Sequence, residues 1–145
     1  MDNDMSGSDY FMAAADLFER ERGAVMDDFQ QRSLEQQGLV DANPVHLVQN
    51  IRAMIMAGDL TAEARYTAYF ALGKTWDLKL VPFFQQCLKQ EVAQGTTAVY
   101  QLLICLSDFG QEVFGGDRDG SFSAMDEELN MRDALAYLDR IDATS

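Results

Sequence analysis

The chain is 145 residues long, 48% of them apolar, with twenty-four acids against eleven bases and a formal charge of −13. That length suits one domain able to bury a real core, and the apolar share excludes a disordered tail. The acidic field would repel nucleic acid and anionic lipid, so neither is an expected direct partner; a basic protein would be attracted and steered.

Alanine, leucine, methionine and glutamine outweigh isoleucine and valine, a composition that leans to helix. Within residues 8–22, Phe11, Ala14, Ala15 and Phe18 form one apolar stripe, and Ser8 or Asp9 is placed to cap that helix. Gly23 interrupts it, and Val25, Met26 and Phe29 resume an apolar face that runs to about Leu34 and closes at Gly38. Asn43-Pro44 reads as a cap followed by a first-turn proline, which loses nothing where the N–H is unpaired anyway. The helix behind it carries Leu47, Ile51, Met54 and Ile55 up to Gly58. Thr61 caps the next, whose apolar residues run from Ala64 to Leu72 and stop at Gly73. Further helices are expected over 79–93, 97–109 and 124–140. No hairpin dipeptide separates two alternating β-branched runs, so the fold class is all-α.

The expected organisation is a single helical domain over 1–145: an N-terminal helical segment at 1–40, hairpins over 43–110 and a final helix at 123–141. No run of about 18 apolar residues is present to span a membrane, and the acidic N-terminus lacks a secretory pattern, so the cytoplasm is the expected compartment. Cys87 and Cys105 sit inside apolar helical patterns and read as small buried hydrophobes rather than a redox pair.

The segments Tyr66–Gly73 and Tyr100–Ser107 superimpose with an offset of 34 residues. Stacked helical hairpins give such an offset, as does any antiparallel bundle of equal helices. The stretch Glu63–Asp77 with Leu80-Val81-Pro82-Phe83 resembles a HEAT repeat in its Ala71-Leu72-Gly73 element, the Asp77 turn and the Val81-Pro82 start of the next helix. Small Ala71 and Gly73 allow close helix approach, Asp77 can cap, and Pro82 fits a first turn.

From Leu47 to Leu138 the chain is similar to small HEAT-like proteins encoded beside bacterial polymorphic toxins. That similarity is carried by Arg65-Tyr66, Ala71-Leu72-Gly73-Lys74, Val99-Tyr100-Gln101-Leu102, Glu128-Leu129-Asn130, Arg132-Asp133-Ala134 and Tyr137-Leu138. The first forty residues contribute nothing to it. The resemblance implies antiparallel hairpins stacked as a short right-handed solenoid or bundle. It also implies an immunity protein that binds and blocks a cognate toxin.

Other chemistry is thinly represented. The segment 115–126 follows an EF-hand loop with Asp117, Asp119, Gly120, Ser123 and Asp126 at ligand or glycine positions. Gly115 stands where the first aspartate is needed, and Asp126 is shorter than the bidentate glutamate of position 12. A polar turn feeding a helix capped by Ser123 and Asp126 accounts for more of these residues. His46, the sole histidine, has no companions for a zinc site and reads as a surface residue at a helix start. No phosphate loop or nucleophile elbow occurs, so no catalytic residue and no cofactor is expected, and an enzyme ranks last.

For a basic toxin, the acids that best present charge are those in turns: the candidate contact residues are Asp77, Asp108, Glu112, Asp117 and Asp119, with Trp76, read first as cover for the core end, as an anchor if it is exposed. Asp108 and Glu112 stand at i, i+4 and would share a face if that helix continued. A DNA mimic or acidic adaptor and a calcium-responsive helical protein are the alternatives. Oligomeric state stays open; Met12, Met26, Met54 and Met56 offer one face for a dimer.

Overall fold

The computed structural model describes residues 3–115 and 126–144. Among them are seven α-helices and no strand: α1 Asn3–Glu21, α2 Asp28–Gln36, α3 Pro44–Ala57, α4 Ala62–Gly73, α5 Val81–Gln94, α6 Ala98–Asp108 and α7 Glu127–Thr144. The all-α expectation is met. No helix among the described residues is long and apolar enough to cross a membrane.

The helix boundaries follow local chemistry. Asn43 accepts from the backbone N–H groups of Val45 and His46, at 2.9 and 3.1 Å, ahead of Pro44. The Thr61 hydroxyl accepts from the Ala64 N–H at 3.1 Å. Gly58, at φ 82°, ends α3 in the left-handed region, where a side chain would be strained. Because Asn43 satisfies two otherwise orphaned donors, Asn43→Ala is expected to cost about 1 kcal/mol. A thermal melt monitored by circular dichroism checks this as a lowered midpoint.

Two local expectations are corrected. The first helix begins at Asn3, so Ser8 and Asp9 lie inside it and do not cap it. The α4 helix ends at Gly73 as expected, with Lys74 in a right-handed conformation as its cap and the Thr75 hydroxyl donating to the Leu72 carbonyl at 2.8 Å. Val25 and Phe29 do not join an apolar face turned to the core; they are 93% and 74% exposed. Val25 precedes the Asp27 cap, Phe29 stands in the first turn of α2, and α2 buries only Leu34.

The chain packs as two compact units, Met1–Trp76 and Asp77–Ser145. In the first, α1 is the centre: it packs most extensively on α4, then on α2 and α3. It buries Phe11, Ala13, Ala14, Ala15, Leu17 and Phe18. The facing helix buries Ala64, Ala68, Tyr69, Ala71 and Leu72, and alanine on both sides permits close approach of the helix axes. The first forty residues thus supply α4 with its principal packing partner, α1.

In the second unit, α5 and α6 form an antiparallel hairpin joined at Gly95–Thr97, and α7 packs on both. Its core holds Leu80, Phe83, Phe84, Leu88, Leu102, Leu103 and Leu106, with Phe84 edge-on to Phe109 at 5.4 Å. Cys87 and Cys105 are reduced thiols buried in this core, as expected of small hydrophobes.

Candidate interaction surfaces

The open end of the α5/α6 hairpin is built from short-range sequence signals. Asp77 accepts from the Lys79 N–H at 3.0 Å and starts the 3-10 turn Leu78–Leu80 that leads into α5. Asp108 is the last residue of α6. An antiparallel hairpin puts the beginning of α5 and the end of α6 side by side, and the Phe84–Phe109 contact fixes that end. Asp77, Asp108 and Glu112 are all exposed there.

Asp108 and Glu112 do not share a helical face, because α6 stops at Asp108 and the chain turns through Phe109. They are gathered by proximity to one hairpin end instead. The C-terminus of α6 has no basic residue in its last turn, so the partial negative charge of its terminal carbonyls adds to that of Asp108.

A polar clamp from α7 fixes the segment that follows. Tyr137 accepts from Gln85 Nε2 at 2.8 Å and donates to Gln111 Oε1 at 2.8 Å. Arg140 donates to the Glu112 carbonyl at 2.6 Å and lies 5.9 Å from the Tyr137 ring centroid. Buried Asp133 accepts from the Gly115 N–H at 3.0 Å and from Arg132 at 2.9 Å. Burial pushes the Tyr137 hydroxyl above the usual phenol range, against the Gln85 hydrogen bond and the Arg140 charge. Arg132, Asp133 and Tyr137 therefore act here as anchors of 111–115. That role is invisible in the sequence because the clamp's partners lie up to 52 residues apart.

Trp76, which belongs to the first unit, is 44% exposed, with the Arg22 guanidinium 5.1 Å over its ring. Its φ of 53° is the one positive value among the described non-glycine residues. The pairing places the residues just beyond the ends of α1 and α4 together. Asp117 and Asp119, and most of the 115–126 loop, lie outside the described residues. His46 is exposed at the start of α3, as expected. Among the described residues no group of three or more His, Cys, Asp or Glu side chains is placed to hold a metal ion.

Acids crowd at the α1–α2 junction. Burial pushes the Asp16 carboxyl above its ordinary range; the Gln30 hydrogen bond at 3.1 Å opposes this, and the charges of Glu19 and Asp27 add to it. A carboxyl whose pKa is raised by folding favours the folded state at pH below its unfolded value, and that contribution is lost as pH rises through the folded value. Asp16→Asn, which keeps an acceptor for Gln30, is therefore expected to melt higher than the parent at pH 7. The gap should close below roughly pH 3, under the ordinary aspartate value. Melting curves at the two pH values check it; a gap of equal size at both would trace to packing, not ionisation.

No family model matches the chain, and neither a curated protein nor a solved structure does.

Proposed function

We propose that this chain is an immunity protein, a HEAT-like helical inhibitor that binds one basic bacterial toxin in the cytoplasm and blocks it stoichiometrically. The observation that carries the reading is the set of exposed acids, Asp77, Asp108 and Glu112, at the open end of the α5/α6 hairpin. The α7 clamp holds the backbone of 111–115, so Glu112 is presented from an ordered segment. Ordering the acids before binding lowers the entropy lost on association. Both units carry the same sign of charge, twelve acids with six bases in the first and twelve with five in the second. A basic surface, such as that of a nuclease, would be drawn to either. Inhibition is by cover and charge, without chemistry on the toxin.

Titration calorimetry against the purified toxin-like product of the neighbouring gene tests this. Equimolar, nanomolar binding with loss of toxin activity is the expected result. No binding would overturn the reading, and capture of many DNA-binding proteins in competition with DNA would replace it with the DNA mimic.

A further inference from the structure

Trp76 holds a backbone conformation that its side chain disfavours. Its φ of 53° lies in the left-handed region, where Cβ crowds the backbone and a bulky aromatic residue is a true outlier. The other five positive-φ positions among the described residues are all glycine. Trp76 is also the last residue of the first unit and stands between two anchored turns. Behind it, the Lys74 and Thr75 N–H groups donate to the Ala71 and Leu72 carbonyls at 3.0 and 3.2 Å, tying both residues to the end of α4. Ahead of it, Asp77 takes the Lys79 N–H on its carboxylate at 3.0 Å and the Leu80 N–H on its carbonyl at 2.9 Å. The backbone of this one residue therefore sets the course of the chain from α4 into the Leu78–Leu80 turn.

A second observation concerns the ring. Arg22, exposed just beyond the end of α1, holds its guanidinium 5.1 Å from the Trp76 ring centroid. Its own turn is ordered: the Arg22 and Gly23 N–H groups donate to the Glu19 and Arg20 carbonyls at 3.0 and 2.9 Å. The adjacent acid, Glu21, pairs with Arg20 at 3.5 Å, which leaves Arg22 to the aromatic face. A cation–π contact and the cost of a non-glycine residue in the left-handed region are comparable in size. Such a contact is able to hold a backbone that would relax without it.

We propose that Arg22 and Trp76 form a conformational latch, in which the guanidinium on the indole holds Trp76 in its strained left-handed state. Withdrawing Arg22 lets Trp76 relax to a negative φ. That step redirects the chain between α4 and the Leu78–Leu80 turn and uncovers the indole face. The device couples the end of α1 to the exit from α4 through a single side-chain contact. Because α1 packs more extensively on α4 than on any other helix, the helices themselves stay in place and only the joint moves. Strain stored at one residue and balanced by one exposed contact is the arrangement expected of a switch. The latch stands without the toxin reading, which draws on acids of the second unit.

Nuclear magnetic resonance on the isotope-labelled full chain tests this, because the one-bond Cα–Hα coupling of residue 76 separates positive from negative φ. The parent should fall in the positive range. Arg22→Ala should move the coupling to the negative range, shift the amide signals of Asp77–Leu80, and open Trp76, the sole tryptophan, to quenching by acrylamide. Its melting temperature should change little, since relief of strain offsets the lost contact. Arg22→Lys, which keeps a cation for the ring, should stay nearer the parent in all of these. In a Trp76→Gly background, which has neither ring nor strain, Arg22→Ala should leave the Asp77–Leu80 signals where they are. A coupling unchanged by Arg22→Ala, with or without a lowered melting temperature, would make Arg22 a plain packing contact and overturn the proposal. So would a negative φ in the parent. Signals of Asp77–Leu80 that still move in the Trp76→Gly background would overturn it too, by showing that Arg22 acts through another route.

Discussion

Phe84→Ala is expected to cost about 3–5 kcal/mol, the usual penalty for emptying a phenylalanine site in a packed core. Phe84 is fully buried in the first turn of α5, in contact with both Phe83 and Phe109, and the hairpin end closes around it. The loss should fall unequally along the chain. Trp76 belongs to the first unit, whose core is assembled from α1 and α4, whereas Phe84 belongs to the second. A thermal melt followed by circular dichroism should show part of the helical signal lost at a lower temperature, while the midpoint of Trp76 emission moves less. Coincident shifts in both signals would show that the two cores unfold as one cooperative body.

The contrast between these cores also explains what can be read in the sequence. Helix positions are legible because each boundary has a local cause: Asn43-Pro44, Thr61, Gly58 and Gly95 act within a turn of where they stand. The core of α5 and α6 is legible from apolar spacing alone, Cys87 and Cys105 included. The centrality of α1 is not, because its stripe of Phe11, Ala14, Ala15 and Phe18 marks which face is buried but not that α4, with Ala64, Ala68 and Ala71, packs on it. The same limit hides the exposure of Val25 and Phe29. Their spacing suggests a buried stripe, but the Asp27 capping box fixes where α2 starts and leaves both outside the core. Candidate site residues are legible as acids in turns. That Asp77 and Asp108 belong to the same end of the hairpin follows only from the antiparallel course of α5 and α6 and the contact of Phe84 with Phe109.

Reversing charge at that end, Asp108→Lys with Glu112→Lys, is expected to weaken binding of a basic toxin by roughly ten- to a hundredfold, chiefly through slower association. Added salt should weaken the parent complex more than the variant complex, since the variant has lost the attraction that salt screens. Stability should move the other way. Asp108 ends α6 where carbonyl dipoles already point outward, and no basic residue in the last turn compensates them. Lysine at that position interacts favourably with the helix dipole, so the double variant should melt at or above the parent temperature. Glu112 contributes its backbone carbonyl to the contact with Arg140, and substitution of its side chain leaves that carbonyl in place. A variant that binds poorly yet folds at least as well separates recognition from folding. Stopped-flow association rates at two salt concentrations, beside melting curves, give both readouts. Unchanged rates would remove Asp108 and Glu112 from the interface, and a lowered melting temperature would mean that these acids hold the hairpin end together.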